Sequence, residues 1–275
     1  MKGLVRVLAA ADVPAAMRIK ESAGWNQTEA DWLNLLRLAP ETCFGLECDG
    51  RLVATATAVC YGSALAWIGM VLTDPEYRRM GFARTLMEHT LAALDARGVE
   101  WIRLDATEMG SPLYRKLGFE EESAIERWLR PAGHFPGAGR ACALGSLPAQ
   151  LDRAAFGADR SELLAVLSAL GFAVVADVGY AMSRPGSLAA YFGPCVSRNE
   201  GAAAELLVWC LQRHARDPVY WDLLPSNTEA VRLARGFGFA PVRRLVRMAR
   251  RGVAGAPPLA HDDSLVFGVA GFEYG

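Results

Sequence analysis

The fold of the first half is decided by residues 71–86, VLTDPEYRRMGFARTL. This stretch begins as an apolar, β-branched run, passes through a turn that contains Gly81, and continues with helical spacing of its apolar residues. A helix that begins directly after such a turn has unpaired backbone N–H groups and partial positive charge at its first turn. Both properties favour a bound phosphate or pyrophosphate, which the absence of a side chain at Gly81 allows to approach closely.

Strand and helix patterns flank this stretch on both sides. Residues 52–61 and 64–73 form two β-branched and aromatic runs separated by a short turn, which is typical of an antiparallel hairpin. Downstream, residues 101–106 predict another strand, and Ser111 followed by Pro112 predicts the start of a short helix. Antiparallel strands followed by alternating strands and helices predict an α/β (α+β) sheet of mixed direction.

The second half repeats this plan. Residues 117–119, LGF, match residues 237–239, FGF, at an offset of 120. The strand pattern of residues 67–72 matches residues 191–196 at an offset of 124, so four residues are missing from the second copy before its helix. We interpret these ordered matches as an internal duplication.

A stretch rich in Pro, Gly and Ser separates the two halves. It runs from Pro131 to Pro148 and lacks apolar periodicity. The total of 275 residues also exceeds a typical single domain of roughly 100 to 200 residues. We therefore predict two domains, residues 1–132 and 149–275, joined by a linker at residues 133–148.

The composition is that of a globular protein, with 52% hydrophobic and 21% charged residues. A net charge of −1 gives no overall attraction to nucleic acid or to an anionic membrane. No apolar run approaches the roughly 18 residues that span a bilayer, and the first residues lack a signal-peptide pattern. We expect a cytoplasmic protein without nucleic-acid or membrane partners. Its six cysteines form no CxxC pair and have no histidine at zinc-ligand spacing, so no metal is expected.

Two motifs carry a family resemblance. Residues 78–83, RRMGFA, resemble the Arg/Gln-x-x-Gly-x-Gly/Ala signature of the GNAT superfamily of N-acetyltransferases. Residues 113–119, LYRKLGF, resemble the second motif of that family at its usual spacing. The resemblance implies a mixed, mostly antiparallel sheet flanked by helices, with acetyl-CoA as co-substrate. The whole arrangement is similar to the YitH-like tandem group, in which an ordinary domain precedes a divergent one; residues 156–160 and 179–182 prompt this comparison.

The resemblance also implies where acetyl-CoA binds. Backbone amides of residues 79–84 would hold the pyrophosphate, and the end of the preceding strand would pair with the pantetheine arm like a missing strand. The residues expected to contact the cofactor are Val71, Leu72, Thr73, Arg78, Arg79, Met80, Gly81, Phe82, Ala83, Arg84 and Ser111.

Three residues are candidates for proton transfer. Tyr114 lies where the family often has a tyrosine that protonates the leaving CoA thiolate, although a tyrosine here could simply pack its ring. Asp105 and Glu108 follow the strand that should line the opening, which makes them candidate bases for the amine; either could instead cap a helix or bind the acceptor.

The acceptor is expected at the loop that contains Trp25, Asn26 and Gln27, because loops often carry specificity. We predict a small-molecule primary amine that attacks acetyl-CoA directly in a ternary complex, since Cys60 and Cys195 lack an evident histidine partner. Transfer of a longer acyl group and a non-catalytic acyl-CoA sensor or scaffold are the alternatives. A P-loop is disfavoured because the turn lacks Gly-Lys-Ser/Thr.

The second half lacks residues that the first half would use. Its anion-binding turn is shortened, and the offset of 120 places Ala234 where Tyr114 stands. We expect it to be non-catalytic and to shape the acceptor cleft. Residues 264–275 could complete their own sheet or a neighbour's, which leaves a homodimer open.

Overall fold

The computed structural model describes residues 3–133, 147–175 and 178–275. Most of the predicted linker, and with it Cys142, lies outside the described residues. The elements of the first half are β1 (Leu4–Val7), α1 (Val13–Ser22), α2 (Glu29–Leu38), β2 (Cys43–Cys48), β3 (Arg51–Tyr61), β4 (Leu65–Thr73), α3 (Phe82–Ala96), β5 (Trp101–Ala106), α4 (Ser111–Lys116) and β6 (Glu120–Arg130).

The second half contains a matching series of elements. They are α5 (Ala149–Phe156), α6 (Ser161–Ser168), β7 (Phe172–Val175), β8 (Gly179–Arg184), β9 (Ala190–Ser197), α7 (Glu200–Arg213), β10 (Val219–Leu223), α8 (Thr228–Gly236), β11 (Ala240–Arg251) and β12 (Val266–Gly268). The sequence prediction of a mixed, mostly antiparallel α/β sheet with flanking helices is confirmed. None of the helices within the described ranges combines the length and apolar character needed to cross a bilayer.

The two halves share one sheet, because each contributes its last long strand to the other. The strand order is β1-β2-β3-β4-β5-β11-β6-β10-β9-β8-β7, with β12 paired to β9. Strand β11 of the second half lies between β5 and β6, and β6 of the first half lies between β11 and β10. The largest apolar core draws residues from both halves, including Trp32 and Met70 from the first and Tyr180 and Val196 from the second. The sequence boundary at residues 133–148 stays a prediction.

Two equivalent ion pairs hold the exchanged strands. Arg127 on β6 donates to both carboxylate oxygens of Asp222 on β10, at 2.8 and 2.6 Å. Arg247 on β11, which is 120 positions later, donates to both oxygens of Asp105 on β5, at 3.0 and 3.3 Å. The strand registers place each Asp directly opposite its Arg. The exchange is therefore reciprocal, as expected for two copies of one structural plan.

The helices that precede the exchanged strands also correspond. After α4, Gly118 has a φ of +86° and the Phe119 N–H donates to the Tyr114 carbonyl at 3.0 Å. After α8, Gly238 has a φ of +80° and the Phe239 N–H donates to the Ala234 carbonyl at 2.9 Å. Both glycines allow a left-handed residue to end the helix. Ala234 thus lies at the place in the second half that Tyr114 has in the first.

The end of the described chain belongs to its own sheet. Strand β12 pairs antiparallel with β9, and the Trp221 indole N–H donates to the Phe267 carbonyl at 2.7 Å. The chain then crosses to the first half, where the Trp67 indole N–H donates to the Phe272 carbonyl at 3.1 Å. Residues 264–275 therefore complete this chain's own structure; a homodimer stays a prediction.

Candidate active site

The first half contains an opening where β4 and β5 separate. The two strands pair in parallel only from Leu65 with Trp101 to Trp67 with Arg103. Beyond this point, β4 has no strand partner on its β5 side within the described sheet. Its remaining backbone N–H and C=O groups on that side can bind an extended ligand in the way that a further strand would.

A bulge in β4 lies at the start of this opening. On β3, Thr55 pairs with Leu72 and Thr57 with Gly69, so two residues of β4 face one residue of β3. Met70, in the bulge, has a φ of +49°, and its carbonyl accepts a hydrogen bond of 2.7 Å from the Thr55 hydroxyl. A positive φ at a non-glycine residue is uncommon, and bulges often redirect backbone groups beside active sites.

The turn before α3 provides a site for an anion. Gly81, the residue before the helix, has a φ of +84°, and no side-chain hydrogen bond caps the first turn. Arg79 also has a positive φ, +63°. The first N–H groups of α3 have no earlier carbonyl to bond, so they remain available to a ligand together with the positive end of the helix dipole. Glycine at position 81 is explained by this left-handed conformation, because a Cβ there would have no close neighbour.

One cavity of about 1030 Å³ joins the turn, the edge of β4 and the loop after α1. Most residues predicted for the site line it. Those from the cofactor prediction are Val71, Leu72, Thr73, Arg78, Arg79, Gly81, Phe82, Ala83 and Arg84; those from the catalytic and acceptor predictions are Tyr114, Asp105, Glu108, Trp25 and Gln27.

Three predicted residues do not line this cavity. The Met80 side chain is exposed to solvent. Ser111 is buried, and its hydroxyl has no hydrogen-bond partner in the described part of the chain. Asn26 is buried between the halves, where its Oδ1 accepts from the backbone N–H groups of Leu188 and Ala189 at 2.9 and 3.0 Å. The contacts of Asn26 thus join the two halves. The sequence of the predicted acceptor loop did not indicate this, because the partners lie more than 160 positions away.

Tyr114 lies on α4 beside the cavity. Its ring is largely buried and meets Phe119 edge to face, with centroids 6.1 Å apart. A Cβ at Gly110 would lie 2.9 Å from the Tyr114 ring, so the glycine makes room for it. Burial raises the pKa of the Tyr114 phenol well above its usual range. The hydroxyl therefore carries its proton at neutral pH, as a proton donor must.

The two candidate carboxylates have different surroundings. The Asp105 side chain is fully buried in the ion pair with Arg247, and burial raises the pKa of its carboxyl despite that partner. Glu108 is exposed at the cavity mouth. Within the described ranges no cluster of histidine, cysteine and carboxylate side chains is placed to hold a metal ion.

The strand exchange brings into the cavity residues that the sequence did not identify. They are Arg127 on β6 and Arg243, Arg244 and Leu245 on β11; Phe272, in the segment after β12, also lines the cavity. The duplicated LGF and FGF motifs predicted that a strand follows each helix. They did not indicate that β11 would lie beside β5 of the other half. Pairing within a half and pairing between the halves would have the same local sequence pattern.

The corresponding opening in the second half is filled by its own chain. Strands β9 and β10 pair in parallel only as far as Phe192 with Trp221. Beyond that point β12 pairs with β9, and the Val269 N–H donates to the Asp222 carbonyl on β10 at 3.0 Å. At the start of α7, the Asn199 side chain accepts a hydrogen bond of 2.9 Å from the Ala202 N–H. Protein groups thus take the positions that stay open in the first half.

No cysteine of the described ranges lines the cavity of the first half. Burial raises the pKa of the Cys60 and Cys195 thiols, so neither is a thiolate at neutral pH. A nucleophilic cysteine needs its thiolate form. These thiols therefore offer no route through an acyl-cysteine intermediate at this site.

Comparison with known proteins agrees with this architecture. Models of the acetyltransferase (GNAT) domain match residues 39–121 and 149–268, which together span well over half of the chain. The uncharacterized N-acetyltransferase YitH of Bacillus subtilis is 28% identical over 71% of this chain and 73% of its own length. Ribosomal protein bS18-alanine N-acetyltransferase of Salmonella typhimurium is 32% identical over 47% of this chain and 90% of its own length.

A solved structure shares the whole fold. A provisionally assigned acetyltransferase from Pyrococcus horikoshii superposes with a TM-score of 0.87 and 20% identity, covering 99% of this chain and 96% of that one. At this identity the likeness shows the fold alone. The family models, which match each half separately, show more: the chain is an acyltransferase that belongs to the GNAT superfamily of N-acetyltransferases and carries two GNAT domains in tandem.

Proposed function

We propose that this protein transfers an acetyl group from acetyl-CoA to the primary amine of a small molecule, by direct attack in a ternary complex. The observation that carries the proposal is the separation of β4 and β5 beyond Trp67, in a cavity that also contains the uncapped start of α3 and Tyr114. Within the described residues, only the first half offers these features together.

The backbone would bind most of the co-substrate. The N–H groups at the start of α3 bind the pyrophosphate, and the free edge of β4 from Val71 to Thr73 pairs with the pantetheine amides. Backbone N–H groups near the Met70 bulge stabilise the negative charge that develops on the thioester oxygen. Arg78 supports the turn, since its Nε donates to the Thr73 carbonyl at 3.3 Å.

The transfer then needs two proton movements. The neutral amine attacks the thioester carbonyl carbon, a C–N bond forms, and the C–S bond breaks as the tetrahedral intermediate collapses. Tyr114 supplies its proton to the departing thiolate, and a carboxylate or a water accepts the proton that the amine loses. Asp105 is held by Arg247, so Glu108 is the cavity carboxylate better placed to exchange protons with solvent.

The second half supports a small acceptor. The bS18-alanine N-acetyltransferase matches less than half of this chain. Here the acceptor side of the cavity also carries Arg243 and Leu245 of β11, together with Phe272. These residues restrict the space that a protein substrate would need.

Calorimetric titration with acetyl-CoA tests the proposal. We expect one binding site per chain, because β12 fills the second opening. Gly81→Glu should weaken binding by about tenfold or more, since it places a strained, negatively charged residue at the anion turn. Gly98→Glu is the matched control: Gly98, which follows the other end of α3, also has a positive φ, +66°, and open space around its Cα. Absent binding by the unmodified chain would refute the proposal, and binding without turnover on any amine would favour an acyl-CoA sensor.

A further inference from the structure

We infer that the acceptor carries an anionic group, a carboxylate or a phosphate, in addition to its amine, and that Arg243 binds this group. The inference rests on the proposed function and specifies its substrate class. It starts from the lining of the cavity, to which β11 of the second half adds two arginines, Arg243 and Arg244.

The alternation of side chains along β11 places Arg243 on the acceptor side. Leu245 packs in the core that contains Met70 and Leu72, whereas Val246 packs against the core that contains Tyr114. Residues two apart on a strand share a face. Arg243 therefore lies on the Leu245 face, and its guanidinium carbon is 5.8 Å from the centre of the Trp25 ring, in the predicted acceptor loop.

Arg243 has no carboxylate within ion-pair distance among the described residues. It is half-buried, and both its burial and the neighbouring Arg127 guanidinium lower its pKa. A partly desolvated cation without a counter-ion is unfavourable, and a bound anion removes much of that cost. The unpaired guanidinium therefore favours an anionic ligand in this part of the cavity.

The nearby carboxylates are already paired with other groups. Asp222 accepts two hydrogen bonds from Arg127, and Glu273 accepts from Arg184 and from the Gln27 amide, at 3.0 and 2.8 Å. Asp31 lies 3.3 Å from Arg184. None of these three carboxylates makes an ion pair with Arg243. Among the described groups in this part of the cavity, the Arg243 guanidinium is thus open to direct contact with an anion.

The aromatic groups limit the shape of the acceptor. Trp25 and Phe272 line the same part of the cavity as Arg243, and the Phe272 ring centre is 4.5 Å from the Arg127 guanidinium carbon. In a molecule whose anionic group binds Arg243, the neighbouring apolar atoms would contact these rings. Amino acids and amines that bear a phosphate have the required combination of groups.

Matched pairs of amines test the inference. Each free amino acid is compared with its amide, and phosphoethanolamine and glucosamine 6-phosphate are compared with ethanolamine and glucosamine; spermidine serves as the cationic probe. Thiol release from acetyl-CoA gives kcat/KM. We expect the best acceptor to be anionic, with kcat/KM about tenfold or more above that of its neutral partner, as a charge-assisted contact supplies. The two sets of pairs distinguish a carboxylate from a phosphate.

The variant Arg243→Gln should raise KM for the anionic acceptor by about tenfold or more and leave the neutral partner unaffected, because only the charge contact is removed. Arg216→Gln, at an exposed arginine outside the cavity, is the control and should behave like the unmodified chain. Acetyl-CoA affinity, measured separately, should stay constant in both variants.

Preference for a neutral amine or for spermidine would overturn the inference and leave the proposed acetyl transfer in place. An anionic preference that survives Arg243→Gln would overturn the role of Arg243. Tight acetyl-CoA binding without acetylation of any anionic amine would also overturn the inference. Loss of acetyl-CoA binding by the unmodified chain would instead remove the proposed function itself.

Discussion

The shared sheet has an opening in each half, and the two openings differ in whether a further strand fills them. In the first half, β4 and β5 separate beyond Trp67, and no strand of the described sheet pairs with that edge of β4. In the second, β9 and β10 separate beyond Phe192, and β12 lies in the gap. The helices that follow the two strands differ in the same way. The first turn of α3 has no side-chain cap, whereas the Asn199 side chain caps α7.

We infer from this difference how a duplicated site can be lost while its fold is kept. Buried backbone groups nearly always find a hydrogen-bond partner. In the second half the chain supplies those partners itself, and the Asn227 side chain helps by donating to the Ser264 and Val266 carbonyls, both at 3.1 Å. In the first half we propose that acetyl-CoA supplies these partners. Backbone groups without a protein partner therefore mark the first half as the copy that we propose to be functional.

The largest expected effect is on stability and concerns the buried ion pair between Arg127 and Asp222, which joins the two halves. Asp222→Ala should lower the free energy of unfolding by about 3 to 5 kcal/mol, because it leaves the Arg127 guanidinium buried without its partner. Denaturant unfolding measures this change. Asp95→Ala is the control, since its ion pair with Arg250 is partly exposed and should contribute about 1 kcal/mol or less. Equal losses in the two variants would show that the exchanged strands do not depend on the buried pair.

The next effect is on turnover and concerns Tyr114 on α4, whose place on α8 is taken by Ala234. Tyr114→Phe should lower kcat by roughly two orders of magnitude, because the leaving thiolate loses its proton donor. Acetyl-CoA affinity should remain nearly constant, since the ring stays in place. Tyr220→Phe, outside the cavity, is the control for loss of a hydroxyl. Unchanged turnover in Tyr114→Phe would remove this residue from the mechanism.

The smallest effect lies in the second half. Asn199→Ala should cost about 1 kcal/mol of stability, the usual value of a helix cap. It should leave acetyl-CoA binding at one site per chain, because β12 still occupies the opening. Thermal unfolding and calorimetry of the same preparation measure both quantities. A second binding event in this variant would mean that the Asn199 cap alone, and not β12, excludes the ligand.

Local patterns in the sequence predicted much of the fold. The hairpin at residues 52–61 and 64–73, the helix after Gly81 and the strand at residues 101–106 all have short-range signals, and the structure forms each of them. The turn at Gly81 was predictable for the same reason. Such features depend on residues close together in the chain.

Pairing over long distances could not be predicted in this way. Asp105 lies 142 positions before Arg247, and nothing in the surroundings of either residue in the sequence indicates the other. Arg243 could not be placed in the cavity from the sequence for the same reason, because its position depends on the pairing of β11 with β5 of the first half. Strand β12 has only three residues, too few for a periodic pattern to show.

The exchange of strands also sets an order of events during synthesis. The edge of β5 is complete once residue 106 has been made, yet its neighbour β11 ends at residue 251. A ribosome that adds about 5 to 20 residues per second takes roughly 7 to 30 seconds to cover that interval. During this time β5 lacks the neighbour that it has in the finished fold, and an unpaired strand edge is a template for pairing with other chains. We expect chaperones to bind the nascent protein at this stage more than at any other.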